Sequence, residues 1–132
     1  MNPLIMKMNN IGKAINNYLE KRPKKHVMIG GYLWEVKLAE NEAKGLSKIK
    51  KLELNSGMLF DLGYDTNIKV TTEKMKFYID IIIIGGGLSV KGIARNIAPG
   101  KIISFSSLAR YFLEVNAGEA DNIKTGMNVR IV

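Results

Sequence analysis

Apolar side chains recur along the chain with two different periods, and the change falls at His26. Leu4, Met8, Ile11, Ile15 and Tyr18 are spaced by three and four residues, which aligns them on one face of an amphipathic helix. Asn2 suits an N-cap and Pro3 the first helical position. Arg22–Pro23 ends the segment, because a residue before proline is driven out of helical geometry. Lys24 and Lys25 then read as a charged link, and residues 1–25 as a basic helical extension of a single β-rich domain over 26–132.

Beyond His26 the period is two. Val27 to Ile29 and Tyr32 to Leu38 flank Gly30–Gly31, a hairpin signal, since tight hairpin turns need positive φ. Tyr32, Trp34, Val36 and Leu38 share one face of the second strand. A short helical stretch is expected around Glu40 to Ser47. Gly57 to Leu62 reads as one strand, and Ile68, Val70 and Thr72 alternate in another. Ile81 to Ile84 are four successive isoleucines. β-Branching favours a strand, and a run apolar on both faces must be buried on both. Gly85–Gly86–Gly87 reverses the chain, and Leu88, Val90 and Ile93 begin the return. Tyr111, Leu113 and Val115 alternate in a further strand. Ala117 to Lys124 reads as a short helical turn, and Val129 and Ile131 as a last strand. The expected fold class is α+β, predominantly β. It is a strongly curled, mostly antiparallel sheet or small barrel with short flanking helices and the N-terminal amphipathic helix.

Composition narrows the function classes. With 132 residues and an apolar fraction of 46%, the chain suits one core rather than two. It has no cysteine, which removes disulfides, thiolate metal sites and a cysteine nucleophile. No segment offers the roughly 18 to 20 uninterrupted apolar residues of a membrane helix. The N-terminus lacks the apolar run of a secretory signal, so a cytoplasmic protein is expected. The formal charge is +8, of which residues 1–25 hold +5: Lys7, Lys13, Lys21, Arg22, Lys24 and Lys25 against Glu20. Lysine far outnumbers arginine, which suits diffuse attraction to polyanions better than forked recognition of phosphates or bases.

Several strings, in order, resemble one known family, the domain of unknown function 192 family. Glu42-Ala43-Lys44-Gly45-Leu46 and Gly57-Met58-Leu59-Phe60 are similar to its opening helix and next strand. Met75, Phe77, Ile79 and Asp80 fit its Met-x-Phe-Pro-Ile-Asp pattern, with Tyr78 at the proline. Asn96 and Pro99 match its following link. Ala109 to Gly118, ARYFLEVNAG, resembles its most distinctive segment. The likeness covers roughly residues 29 to 132 and implies a compact β-rich α+β fold without established catalysis.

Among groups that carry chemistry, Asp80 stands out because it interrupts the most apolar strand. A buried carboxylate needs hydrogen-bond donors or a proton. Its structural reading is a carboxylate bound to neighbouring backbone. Its functional reading places it beside one cleft with Arg110 and Tyr111, as a ligand-binding group or as the centre of a carboxylate-dependent hydrolase or lyase. His26, the only histidine, reads as an exposed linker residue and no metal site is expected. Ser104, Ser106 and Ser107 lack the nucleophile-elbow pattern and read as loop or cap residues. Asp61 and Asp65, around Gly63, read as a solvated turn. Gly85–Gly87 lacks the following helix of a phosphate loop. No catalytic residue and no cofactor is assigned. The leading reading is a non-catalytic binding or accessory module, whose N-terminal helix either covers one end of the sheet or pairs with a protein partner or a second copy of the chain. A nucleic-acid accessory protein using Lys13, Lys21, Arg22, Lys24 and Lys25 is the alternative from another class.

Overall fold

The computed structural model describes residues 24–39 and 52–132. They form seven strands: β1 (Lys24–Ile29), β2 (Tyr32–Ala39), β3 (Ser56–Thr71), β4 (Ile79–Ile84), β5 (Val90–Ile97), β6 (Ile102–Asn116) and β7 (Val129–Ile131). All seven belong to one sheet in the order β5-β4-β6-β3-β2-β1-β7. Every pairing is antiparallel except β2 with β3.

Two expectations about fold class are corrected here. No helix occurs among the described residues, so their class is all-strand rather than α+β. Ala117 to Lys124 forms successive tight turns, closed by bonds such as Glu119 N–H to Asn116 C=O and Ile123 N–H to Ala120 C=O. The sheet is also open rather than a closed or strongly curled barrel. Its end strands β5 and β7 share no ladder, and the turn before β5 meets the approach to β7 in a single bridge, Ser89 with Asn128. The extension expected over residues 1–25 lies outside the described residues up to residue 23, as does the helix expected at Glu40 to Ser47. Lys24 and Lys25 belong to β1 rather than to a link, and His26 is buried in that strand opposite Glu35.

The hairpin reading holds in register. Ile29 faces Tyr32 across Gly30 and Gly31, whose φ values of 54° and 87° are those a two-residue turn of the primed type requires. The strands read at Gly57–Leu62 and Ile68–Thr72 are one strand, β3, broken by a bulge. Asp61 faces Tyr111 but Thr66 already faces Ala109, so the four residues Leu62 to Asp65 stand against Arg110 alone. The three serines lie within β6, not in a loop.

β4 is buried along its whole length, as the isoleucine run requires, and its alternation divides the interior. Ile82 and Ile84 join Val27, Trp34, Val36, Leu59, Leu113 and others in core 1. Ile79, Ile81 and Ile83 join Phe60, Val70, Met75 and Phe112 in core 2, on the opposite face of β3, β4 and β6. The turns at residues 117–123 cover core 1, with Ala120 and Ile123 fully buried. Arg95 fixes them by donating to the carbonyls of Ala120 and Ile123 at 3.3 and 2.6 Å. Glu119 accepts from the Trp34 indole N–H at 2.9 Å and from the Asn55 N–H at 3.0 Å.

Candidate functional site

Core 1 ends in a cavity, and strand alternation explains its lining. The alternation that buries Ile29 and Val27 carries on to Lys25. The one that buries Leu59 carries on to Asp61, and the one through Val115 and Leu113 carries on to Tyr111. A layer that continued the core would be apolar throughout. Here Leu38, Leu59, Leu88, Tyr111 and Ile131 line an opening of about 650 Å³ that Lys25, Asp61 and Arg110 also line. Leu38, Leu88, Tyr111 and Ile131 pack against core 1, so the apolar part is continuous with it.

The charged lining is organised. Arg110 Nε donates to Asp61 Oδ1 at 2.8 Å and Nη2 donates to Oδ2 at 3.0 Å, a two-pronged pair that fixes both planes. Asp61 also accepts the Gly63 N–H at 2.8 Å, which sets the bulge. The bonds from Arg110 hold the Asp61 carboxyl below its ordinary range, and Asp61 in turn raises Arg110. The guanidinium carbon lies 4.9 Å from the Tyr111 ring centroid, within cation–π range. Asp65, at the far end of the bulge, accepts the Gly86 N–H at 2.8 Å. It thereby holds the glycine turn that leads to Leu88 in the cavity. Leu88 sits in the left-handed region at φ 62°, a conformation costly for a side chain of its kind.

Asp80 lies elsewhere. It is fully buried; Oδ1 accepts from Asn96 N–H at 2.8 Å, and Oδ2 accepts from Gly118 and Ala120 N–H at 3.0 and 2.9 Å. These donors replace water around the carboxylate and bind β4 to β5 and to the turns over core 1. Arg110 and Tyr111 are thus brought together with Asp61 and Lys25, while Asp80 is not part of the cavity lining. Among the described residues the second buried carboxyl is Glu114, between Met58 and Ile81 on neighbouring strands. Burial pushes its pKa up to about 7.

Of the basic residues considered for nucleic acid, Lys13, Lys21 and Arg22 lie outside the described residues. Lys24 and Lys25 begin β1. Among the described residues no group of three or more His, Asp or Glu side chains could hold a metal ion, and no helix is long and apolar enough to cross a membrane. Sequence reasoning missed Lys25 and Asp61 as partners in one cavity. The available signal was their parity with Val27 and Leu59.

Comparison with known proteins settles the family. The sequence profile described as uncharacterized ACR, domain of unknown function 192, matches residues 26–131. The chain belongs to this family. The resemblance carried by Gly57–Phe60, Met75–Asp80 and Ala109–Gly118 is therefore confirmed. No curated protein sequence matches the chain. Two solved structures share the fold. One is a candidate transcription regulator from Sinorhizobium meliloti 1021, 21% identical, with a TM-score of 0.73 over 81% of this chain and 91% of that one. The other is a protein of unknown function from Novosphingobium aromaticivorans DSM 12444, 25% identical, with a TM-score of 0.73 over 81% of this chain and 83% of that one. The function of this family member is unknown, and nothing in the family description or these structures assigns catalysis.

Proposed function

We propose that the domain is a small non-catalytic binding module that takes its ligand at the open end of core 1. The observation that carries this reading is a cavity of about 650 Å³ with a core-like apolar lining and oriented charges. Such volumes match small-molecule sites, which run from about 300 to 1,000 Å³. A catalytic reading centred on Asp80 lacks comparable support, because its carboxylate is already engaged by three backbone amides. A cytoplasmic setting belongs to the same proposal and suits the cysteine-free chain.

The test is titration with N-phenyl-1-naphthylamine, a neutral dye whose emission rises in apolar surroundings. Saturable binding is expected, and Ile131→Trp, which fills the opening from half-buried β7, should abolish it while circular dichroism still reports a folded sheet. Dye binding that persists unchanged in a folded Ile131→Trp protein would place it elsewhere and remove the basis for this site.

A further inference from the structure

We infer that the ligand of this cavity is a monomeric amphipathic carboxylate: one anionic head on an apolar chain or ring. The inference rests on the binding-module reading and concerns the chemical class of what binds. Its ground is the charge balance of the lining. Arg110 and Asp61 neutralise each other through the two bonds at 2.8 and 3.0 Å. Lys25, lining the same opening, is exposed and no described carboxylate pairs with it. Among the described residues the opening therefore carries one unbalanced positive charge.

Lysine in an inward-facing register position, above a layer of leucine and isoleucine, has two physical readings. It can guard an edge against wrong association, or it can supply the polar contact of an otherwise apolar site. An edge guard needs no companion. Here Lys25 shares its cavity with a guanidinium whose plane is fixed by Asp61. Two of that guanidinium's five N–H groups go to Asp61, so further donors are left for a second acceptor. One lysine charge, supplemented by neutralised guanidinium donors, suits a singly charged carboxylate. A phosphate monoester, with nearly two charges, calls for a richer cationic cluster. The apolar body of the ligand would then lie against Leu59, Leu88 and Ile131. Long alkyl or aromatic groups gain most there, since each methylene they carry adds to the apolar area removed from water.

Calorimetric titration of the full chain with decanoate, decanol and decylamine, each as monomer, tests the class directly. Decanoate should bind about tenfold tighter than decanol, and decylamine weakest. Lys25→Gln should bring decanoate down to the affinity of decanol without changing decanol itself. Lys25→Glu should reverse the order of decanoate and decylamine. Equal binding of decanoate and decanol, both lost in Ile131→Trp, would overturn the carboxylate class and leave the cavity reading standing. Failure of all three ligands while the naphthylamine dye still binds would overturn the class alone. Failure of the dye as well would remove the binding-module reading beneath it. Sedimentation with phosphatidylglycerol vesicles that needs Lys25, without binding of free decanoate, would move the site to a lipid surface and also overturn the inference.

Discussion

Among the described residues, two buried carboxyl groups have opposite surroundings, and their consequences for stability differ accordingly. Asp80 accepts from three backbone amides. Asp80→Ala strands those donors in the interior, where each unsatisfied group costs about 1–3 kcal/mol. Urea unfolding should show a loss of about 3 kcal/mol or more, and an unchanged midpoint would contradict the structural role. Glu114 sits among apolar neighbours, with its pKa raised from 4.5 to about 7 by burial. The folded state therefore keeps a proton that the unfolded chain releases earlier. The resulting stabilisation is complete below pH 4.5 and is lost as pH rises through about 7. The loss amounts to on the order of 3 kcal/mol. Urea midpoints measured from pH 5 to pH 8 should fall in the native chain and vary less in Glu114→Gln. Asp80 was legible in the sequence as a polar break in an isoleucine strand. Its donors were not, because they come from Asn96, Gly118 and Ala120, remote in sequence. Glu114 gave no signal at all: it lies on the strand face opposite Tyr111, Leu113 and Val115, and only the second core made that face an interior.

At the scale of elements, strands follow from local chemistry more faithfully than the connections do. The hairpin at Gly30–Gly31 and the isoleucine strand were both legible from side-chain type and period. β3 was not legible as one strand, since Leu62 to Asp65 carry turn residues, and only pairing with β6 keeps the strand continuous across its bulge. The same pairing constrains Gly57. A Cβ there would lie 2.7 Å from the Glu114 carbonyl oxygen and 3.1 Å from the Leu113 and Val115 side chains. Gly57→Ala must push β3 away from β6, at a cost of about 1–3 kcal/mol. A thermal melt should show the lower midpoint, and a native-like midpoint would mean that the two strands separate freely at this point. The expected helical turn after Asn116 failed for a related reason. Trp34, Asp80 and Arg95 each bind part of residues 117–123, so long-range bonds fix that segment as successive tight turns and no helix propagates.

For the whole molecule, the decisive feature is that β3, β4 and β6 serve two cores at once. A defect in one should be felt in the other. Ile83 is fully buried in core 2, whereas Trp34, the only tryptophan, lies in core 1. Ile83→Ala should lower stability by about 2–5 kcal/mol, and the transition followed by Trp34 emission should move together with that followed by circular dichroism. Separate transitions would show that the cores unfold independently. Side-chain order alone was enough for the strand-rich character, the first hairpin, the doubly buried isoleucine strand and the family resemblance. Each depends on residue type and spacing within a few positions. Folding in three dimensions was needed to show that strands are the regular elements of the described residues and form an open sheet, that Asp80 is occupied by distant amides, and that Lys25, Asp61, Arg110 and Tyr111 meet at one cavity. These outcomes depend on which strands become neighbours, and register across β1, β3, β6 and β7 is set by packing two cores together rather than by any local preference of the chain.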